Sequence, residues 1–220
     1  MSKEPANHHS LPDGLFPPKP PPQRIHERPL LIALSAPSGA GKSTLCSRLI
    51  KEHKGVAYSI SCTTRAPRGE EQDGQDYYFL SKREFKQRVR GGEFLEHAQV
   101  HGHAYGTLKQ SVEFAMEEGM HIIMDIDVQG VSQLRSTIAE MDEKSLMRQG
   151  FVDIFLQPPS LEELSRRLHA RGTDSPQVIE QRLERAKAEM ECASSYTHVI
   201  INDQLEAAYD QLVALTVSRV

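Results

Sequence analysis

The stretch that decides the fold is Ala36-Pro37-Ser38-Gly39-Ala40-Gly41-Lys42-Ser43-Thr44. It follows the apolar run Leu30-Leu31-Ile32-Ala33-Leu34 and precedes a pattern typical of a helix. A buried strand, a tight loop of small residues and a helix N terminus, in that order, aim backbone N–H groups and the positive end of the helix dipole at one point. The order therefore predicts that residues 36–44 hold the phosphates of a nucleotide such as ATP.

Two side chains of this loop extend the prediction. Lys42 supplies a mobile positive charge for the phosphates, and the Ser43 hydroxyl is placed to bind a magnesium ion that bridges them. The sequence departs from the Walker A pattern at its first position, where Ala36 replaces glycine. The alternative is an ordinary strand-to-helix turn with an exposed lysine. We favour phosphate binding because Gly41-Lys42-Ser43 stands where the strand-to-helix context requires it.

Composition and charge argue against several classes of protein. The chain has 220 residues, of which 38% are hydrophobic and 25% charged, and its formal net charge is −4. This weak charge gives no reason to expect a nucleic-acid partner, and no apolar run approaches the roughly 20 residues of a membrane-spanning helix. Cys46, Cys62 and Cys192 share no metal or redox spacing, which favours free thiols in a reducing compartment. We therefore expect a cytoplasmic protein without a nucleic-acid or membrane partner.

The chain divides into a proline-rich segment and one globular domain. Residues 1–29 contain eight of the thirteen prolines and almost no periodic apolar pattern, which predicts a disordered or extended tail. Residues 30–220 are predicted to form one domain. In it, buried strands alternate with helices, which indicates an α/β fold with a parallel sheet flanked by helices. The predicted strands are Leu30 to Ser35, His121 to Asp127, Phe151 to Gln157 and His198 to Asn202.

Residues 61–118 interrupt this alternation. They are rich in Arg, Glu, Tyr and Gly and contain only short strand signals such as Tyr77-Tyr78-Phe79-Leu80. We interpret them as an insertion that supplies a second binding surface, between the core segments 30–60 and 119–220. Ligands of a parallel α/β sheet gather at the carboxyl ends of its strands, so we expect the insertion to face the phosphate-binding loop across one cleft.

The densest chemistry lies in Ser61-Cys62-Thr63-Thr64-Arg65-Ala66-Pro67-Arg68-Gly69-Glu70-Glu71 and in Asp73-Gly74-Gln75-Asp76-Tyr77. Together with Phe94-Leu95-Glu96, Tyr105-Gly106-Thr107 and Asp125-Ile126-Asp127-Val128-Gln129-Gly130, these segments closely resemble guanylate kinases. The resemblance covers nearly the whole chain outside the proline-rich tail. It implies a P-loop α/β fold with an inserted GMP-binding subdomain and a helical lid.

The resemblance also implies which residues bind the substrates, GMP or dGMP and ATP. The positions that match the GMP-binding residues of the family are Ser61, Arg65, Arg68, Glu71, Tyr77, Glu96, Tyr105, Thr107 and Asp127. Asn202 matches a position near the adenine of ATP, and Asp125 one near the magnesium ion and the transferred phosphate. The residues to which we assign catalytic roles are Lys42, Arg65, Asp125, Arg167, Arg171 and Arg182.

The physical chemistry of guanine fits such a site independently. Guanine presents two donors, N1–H and the 2-amino group, beside the O6 acceptor. The Glu96 carboxylate can accept from both donors, while a hydroxyl of Ser61 or Thr107 can donate to O6. Adenine presents a bare N1 acceptor at the same place and would leave Glu96 unpaired. A site that reads a donor in this way can discriminate by about 10⁴-fold.

The arginines of the same segment suit a monophosphate. Arg65 and Arg68 offer planar guanidinium groups to the phosphate oxygens, with Tyr77 and Tyr105 as neutral donors. The alternative is that the arginines form surface ion pairs with neighbouring glutamates, each worth at most about 1 kcal/mol. The phosphate-binding loop in the same chain favours the substrate site.

Asp125 and three further arginines complete the prediction. Asp125 ends an apolar strand, as the Walker B acid does, although a short Asp can instead cap a helix N terminus. Arg167 and Arg171 are spaced i, i+4 on one predicted helix, and Arg182 lies beyond the linker that follows it. Such arginines are ordinarily solvated or paired, but their positions resemble the mobile lid of the family, about residues 167–190. We expect them to close over the phosphates and exclude water.

These expectations describe a magnesium-dependent kinase that transfers the γ-phosphoryl group of ATP to GMP and releases ADP and GDP. The acceptor oxygen is already largely ionised at neutral pH, so alignment and charge stabilisation suffice and no general base is needed. One alternative is a non-catalytic guanylate-kinase-like module that binds a phosphorylated peptide, against which Gly41-Lys42-Ser43 argues. The other is a kinase of AMP or of a sugar phosphate, against which Glu96 and the Ser61 segment argue.

Overall fold

The computed structural model describes residues 28–100, 102–172 and 174–217. The predicted tail, residues 1–29, lies almost entirely outside the described residues. Within the described ranges, no helix is both long enough and apolar enough to cross a membrane.

Strands and helices alternate along the chain. The strands are β1 Leu31–Ser35, β2 Val56–Tyr58, β3 Cys62–Thr63, β4 Tyr78–Phe79, β5 Phe94–Val100, β6 His103–Leu108, β7 His121–Asp125, β8 Phe151–Gln157 and β9 His198–Ile201. The helices are α1 Lys42–Glu52, α2 Lys82–Arg90, α3 Lys109–Glu117, α4 Val128–Ala139, α5 Leu146–Gln149, α6 Leu161–Arg171, α7 Pro176–Glu191 and α8 Leu205–Thr216. A 3-10 turn at Cys192–Ser195 follows α7.

The main sheet has five strands in the order β2-β7-β1-β8-β9, and every neighbouring pair is parallel. This confirms the predicted α/β architecture. The four predicted strands correspond to β1, β7, β8 and β9, although β7 ends at Asp125 and leaves Asp127 outside the sheet. Strand β2 was not predicted, because three residues of which one is fully buried give too short a pattern to recognise.

The central strand β1 is buried along its whole length, as expected of a strand covered on both faces. Ile32 and Leu34 join a hydrophobic cluster that includes residues of α1 and α8. Leu31 and Ala33 point to the opposite face and join a cluster that includes residues of α3 and α4. The loop that follows β1 therefore leaves a rigid, doubly covered strand.

A second sheet lies entirely within residues 61–118. Its strand order is β4-β3-β6-β5, with β3 and β4 parallel and the other two pairs antiparallel. A small core of its own includes Phe85 of α2 stacked on Phe94 of β5, with ring centroids 4.6 Å apart. Helix α2 begins with a full capping box, in which Ser81 and Glu84 bond each other's backbone N–H groups.

Helices α6 and α7 pack against each other through a separate cluster around Leu164, Leu168 and Ile179. Ser160 accepts a hydrogen bond from the N3 backbone N–H of α6, and Ser175 does the same for α7. Gly172 ends α6 in the left-handed conformation, with φ of 67°. The α6–α7 pair lies beside the loop after β1, because a Cβ atom added to Gly39 of that loop would lie 2.9 Å from the Leu168 side chain.

Candidate active site

The loop after β1 has the backbone that a phosphate-binding loop requires. Gly39 and Gly41 have φ values of 93° and 99°, which favour glycine. Gly41 precedes the first turn of α1 and supplies no side-chain cap, so the N terminus of the helix faces the loop with its N–H groups. Ala36, which replaces the first glycine of the motif, packs partly buried against the core cluster on the α1 side.

Asn202 holds this loop from the last strand. Its buried side chain donates from Nδ2 to the carbonyl oxygen of Ala40 at 2.7 Å. A Cβ atom on Gly41 would collide with the same Nδ2 atom, so only glycine fits between the loop and the amide. The resemblance implies that Asn202 lies near adenine; the structure adds that one of its amide donors is occupied by the loop.

Lys42 and Asp125 meet where two neighbouring strands end. Asp125 is in register with Leu34 of β1, which brings its carboxylate beside the start of α1. Lys42 Nζ lies 2.5 Å from Asp125 Oδ1 and 3.5 Å from the carbonyl oxygen of Ile126. The N-cap of α4 is Asp127, whose Oδ1 accepts from the Gly130 N–H at 2.8 Å. The capping role considered for Asp125 therefore belongs to Asp127.

The side chains around Lys42 and Asp125 suit a magnesium ion that is held partly by the bound substrates. Mg²⁺ prefers oxygen ligands and usually keeps several waters. Ser43 in the first turn of α1 and Asp125 at the end of β7 are both exposed and both carry side-chain oxygen atoms. Among the described residues, no group of three or more His, Cys, Asp or Glu side chains could hold a metal ion. These oxygen atoms suit an ion whose remaining ligands are phosphate oxygens and water, rather than an ion whose ligands all come from the protein.

Glu96 of the second sheet is a buried carboxylate. It lies on β5 directly opposite Thr107 of β6, and Thr107 Oγ1 donates to Glu96 Oε1 at 2.8 Å. Its other oxygen lies near Gly130 at the start of α4, where an added Cβ atom would be 3.5 Å away. Burial raises the pKa of Glu96, and the nearby charge of Asp127 raises it further, against the hydrogen bond from Thr107.

Arg65 and Glu71 form a two-bond ion pair. Arg65 Nη1 lies 2.8 Å from Glu71 Oε2, and Nη2 lies 2.9 Å from Oε1. The guanidinium is 7% exposed and sits 5.3 Å from the ring centre of Tyr77. Hydrogen bonds from Arg65 and from the Arg68 backbone hold the pKa of Glu71 below its usual range. Glu71 therefore fixes the plane of the Arg65 guanidinium, which also makes a hydrogen bond with the Tyr105 side chain.

The other predicted GMP-binding residues surround this pair. Ser61 and Tyr77 are half-buried, Tyr105 packs edge-on against Tyr77 with centroids 6.0 Å apart, and Arg68 is exposed. An ion pair with a neighbouring glutamate, the alternative considered for these arginines, does occur at Arg65, whose side chain is 7% exposed while that of Glu71 is 25% exposed. Residues 61–118, which contain the second sheet, carry eight of the nine side chains that the resemblance implies for GMP, and the ninth, Asp127, is the N-cap of α4.

Of the three predicted lid arginines, Arg182 contacts the phosphate-binding loop and Arg167 contacts Asn202, which holds that loop. Arg182 Nη1 donates to Ser38 Oγ at 2.9 Å, and its Nη2 lies 3.2 Å from Asp174 Oδ1. Arg167 Nη2 donates to the Asn202 carbonyl oxygen at 2.9 Å. Arg171 is exposed at the end of α6, and no contact with the loop is seen for it within the described ranges.

Three acidic residues near the site were not predicted from the sequence as part of it. Glu163 accepts from Arg166 and Arg167, whose hydrogen bonds lower the pKa of Glu163 to about 2. Asp174 pairs with Arg182. Burial raises the pKa of Glu189 on α7, which lies within electrostatic range of Lys42. Only spacing could have indicated them: Glu163 is four residues before Arg167, and Glu189 is seven after Arg182.

Comparison with known proteins shows the family to which the chain is similar. The profile of the family described as "Guanylate kinase" matches residues 27–218. A guanylate kinase of Clostridium perfringens strain 13 is 41% identical over 194 residues, covering 87% of this chain and 85% of its own. One from Cereibacter sphaeroides is 46% identical over 185 residues, covering 84% of each. The crystal structure of guanylate kinase from Anaplasma phagocytophilum matches with a TM-score of 0.60 and 30% identity, covering 86% of this chain and 85% of that one.

Proposed function

Since the chain belongs to the guanylate kinase family, we propose that it transfers the γ-phosphoryl group of ATP to GMP at the cleft between the loop after β1 and the second sheet. A GMP phosphate oxygen bonds the γ-phosphorus, the bond from that phosphorus to the bridging oxygen breaks, and ADP and GDP leave. The observation that carries this assignment is the buried carboxylate of Glu96, bound by Thr107 on one oxygen. A carboxylate in that setting suits the paired donors of guanine.

On the donor side, the loop backbone and Lys42 bind the ATP phosphates. Lys42 exchanges its contact with Asp125 for the β- and γ-phosphates, and the backbone of Gly39 to Lys42 donates to their oxygens. Asn202 keeps the loop in shape through Ala40. Ser43 and Asp125, together with the phosphates, would hold a magnesium ion, which would supply positive charge to neutralise the transferred group.

On the acceptor side, Arg65 orients the GMP phosphate. Glu71 holds its guanidinium in a fixed plane, and its remaining N–H groups donate to the phosphate together with Arg68 and the hydroxyl groups of Tyr77 and Tyr105. Because both substrates carry several negative charges, placement by cations is the main requirement for their approach.

The lid arginines close the site. Arg182 leaves Ser38 and Asp174 for the oxygens of the transferred phosphoryl group, and Arg171 reaches them as α6 and α7 approach. Arg167 stays with Glu163 and the Asn202 carbonyl, and it supports the loop from behind. Closing the pair of helices excludes water, which would otherwise take the phosphoryl group instead of GMP.

A panel of nucleoside monophosphates tests the proposal. Purified protein is given GMP, dGMP, AMP, UMP or CMP with ATP and magnesium, and ADP release is measured. We expect turnover with GMP and dGMP and a far lower kcat/KM with AMP, by about 10⁴-fold if Glu96 reads the base alone. Equal turnover of AMP would contradict the assignment, and no turnover with any of the five would favour a binding module.

A further inference from the structure

Helix α4 holds the strand that carries Glu96. Strand β5 is the outer strand of the second sheet, so the backbone groups on its free edge need other partners. The His97 N–H donates to Gln133 Oε1 at 3.2 Å, and Thr137 Oγ1 donates to the Leu95 carbonyl oxygen at 2.9 Å. These two side chains of α4 therefore bond the peptide groups on both sides of Glu96.

The surroundings of β5 make these two hydrogen bonds important. A cavity of about 410 Å³ runs along the strand beside α4, and Gln133 and Thr137 are among its lining residues. Leu95 packs in the core cluster that includes residues of α4, but side chains do not fill the cavity beyond it, so the two hydrogen bonds add to the packing that holds the strand. The pairing of β5 with β6 is also irregular between Phe94 and Glu96, which leaves the backbone register at Glu96 less constrained by the ladder.

Helix α4 is itself well anchored. Arg135 Nε lies 2.6 Å from Asp153 Oδ2 of β8, and its Nη2 donates to the Ser195 carbonyl oxygen at 2.9 Å. Its first turn carries the Asp127 cap and Gly130, which lies near the free oxygen of Glu96. One rigid helix thus meets Glu96 at two places, at its carboxylate and at its backbone.

We propose that Gln133 and Thr137 are positioning residues for guanine recognition, which hold the backbone of β5 so that both oxygens of Glu96 keep their places. Neither side chain touches the nucleotide in this proposal. It rests on the proposed function, because it assigns a role in reading the base of GMP.

Variants that remove the hydrogen bonds but keep the side-chain size test the inference. In Thr137→Val with Gln133→Met, we expect KM for GMP to rise about tenfold while KM for ATP stays the same. The preference for GMP over IMP should also fall, because IMP lacks the 2-amino group that a well-placed carboxylate reads. Thr137→Ser and Gln133→Glu keep the hydroxyl and the acceptor oxygen, and they should retain most of the GMP affinity and preference.

Ser136→Ala is the matched control, since Ser136 lines the same cavity and its hydroxyl donates to the Ser132 carbonyl oxygen within α4. It should behave as the unaltered protein. The inference is overturned if the double variant keeps the original GMP-over-IMP ratio, or if KM for ATP rises equally together with a lower Tm. Should the double variant not fold, the ratio in each single variant decides in the same way. A protein that does not prefer GMP over AMP before any substitution refutes the proposed function itself.

Discussion

Glu96 is the residue whose environment most requires an explanation. Only 7% of it is exposed, and burying a carboxylate costs free energy that one neutral hydrogen bond does not fully offset. Its raised pKa has desolvation as its main cause. Groups perturbed in this way are concentrated at binding sites. We infer that the missing partners are the two N–H donors of guanine.

The pH dependence of GMP use should report this residue. Since burial raises the pKa of Glu96, it takes up a proton at a higher pH than an ordinary glutamate, and the protonated form loses an acceptor. We expect kcat/KM for GMP to fall as the pH is lowered, in a step that Glu96→Gln lacks. The GMP phosphate, which titrates at about pH 6, contributes a step to both profiles. Profiles of the same shape would contradict the role.

Lys42 is the second residue whose role can be isolated. In Lys42→Ala we expect turnover to fall by about 10²-fold or more, because the charge that stabilises the transferred group is lost. GMP affinity should remain nearly unchanged, as Lys42 lies on the ATP side. Asp125 loses its partner but is partly exposed, so the fold should hold. ADP release and GMP calorimetry measure both effects.

Lys51→Ala, at the exposed end of the same helix, controls for loss of a lysine from α1. It should keep both turnover and GMP affinity. Normal turnover in Lys42→Ala would remove Lys42 from the catalytic residues.

Residue types and spacing indicated candidate reactive side chains, but not the side chains that hold them in place. Gly39, Gly41 and Lys42 could be placed because the motif fixes their positions on a strand, a loop and a helix. The contact of Asn202 with Ala40 could not be predicted, since it joins residues 162 apart in sequence. Such contacts depend on strand order, which a single sequence does not specify.

At the scale of elements, the loop between β1 and α1 depends on one glycine for two reasons. Gly41 has φ of 99°, and a Cβ atom there would collide with Asn202 Nδ2. We expect Gly41→Ala to lower stability by about 1–3 kcal/mol and to weaken ATP binding, because both strain and the displaced amide act on the loop.

Gly92→Ala separates the two causes. Gly92 also has a positive φ, 66°, but a Cβ atom there would meet no atom within 4 Å. Gly92→Ala should lower the free energy of unfolding by about 1 kcal/mol and leave the affinity for ATP unchanged. Thermal unfolding and ATP titration of both variants make the comparison, and equal ATP affinity in the two would contradict the account of the loop.

Element prediction succeeded where buried apolar runs were long and failed where they were short. Strands β1, β7, β8 and β9 follow from continuous apolar runs, and β4 lies within the short signal Tyr77-Tyr78-Phe79-Leu80, whereas β2 and the two-residue β3 are too short to give a period. Their pairing comes from tertiary contacts. The cap of α4 fell on Asp127 because β7 stops two residues earlier than the apolar run suggests.

At the scale of the whole molecule, α4 connects the two sheets. Its N terminus follows β7 of the main sheet, and its later turns hold β5 of the second. The sequence predicted that residues 61–118 differ from the core, and the second sheet does lie within that range. It could not predict α4 as the connection, because Gln133 and Thr137 belong to no motif.

The comparison of GMP and AMP as substrates, in the unaltered protein and in Glu96→Gln, tests the central claim most directly. The amide keeps the size of the side chain and removes the buried charge, whose folded-state pKa is raised. Because the folded-state pKa of Glu96 is raised, ionisation of this carboxyl group lowers the free energy of unfolding as the pH rises through that pKa. Glu96→Gln should therefore have a Tm at neutral pH at least as high as that of the unaltered protein. We predict a large GMP-over-AMP ratio of kcat/KM that falls sharply in Glu96→Gln, through loss of GMP use. An unchanged ratio would contradict the claim that Glu96 selects guanine.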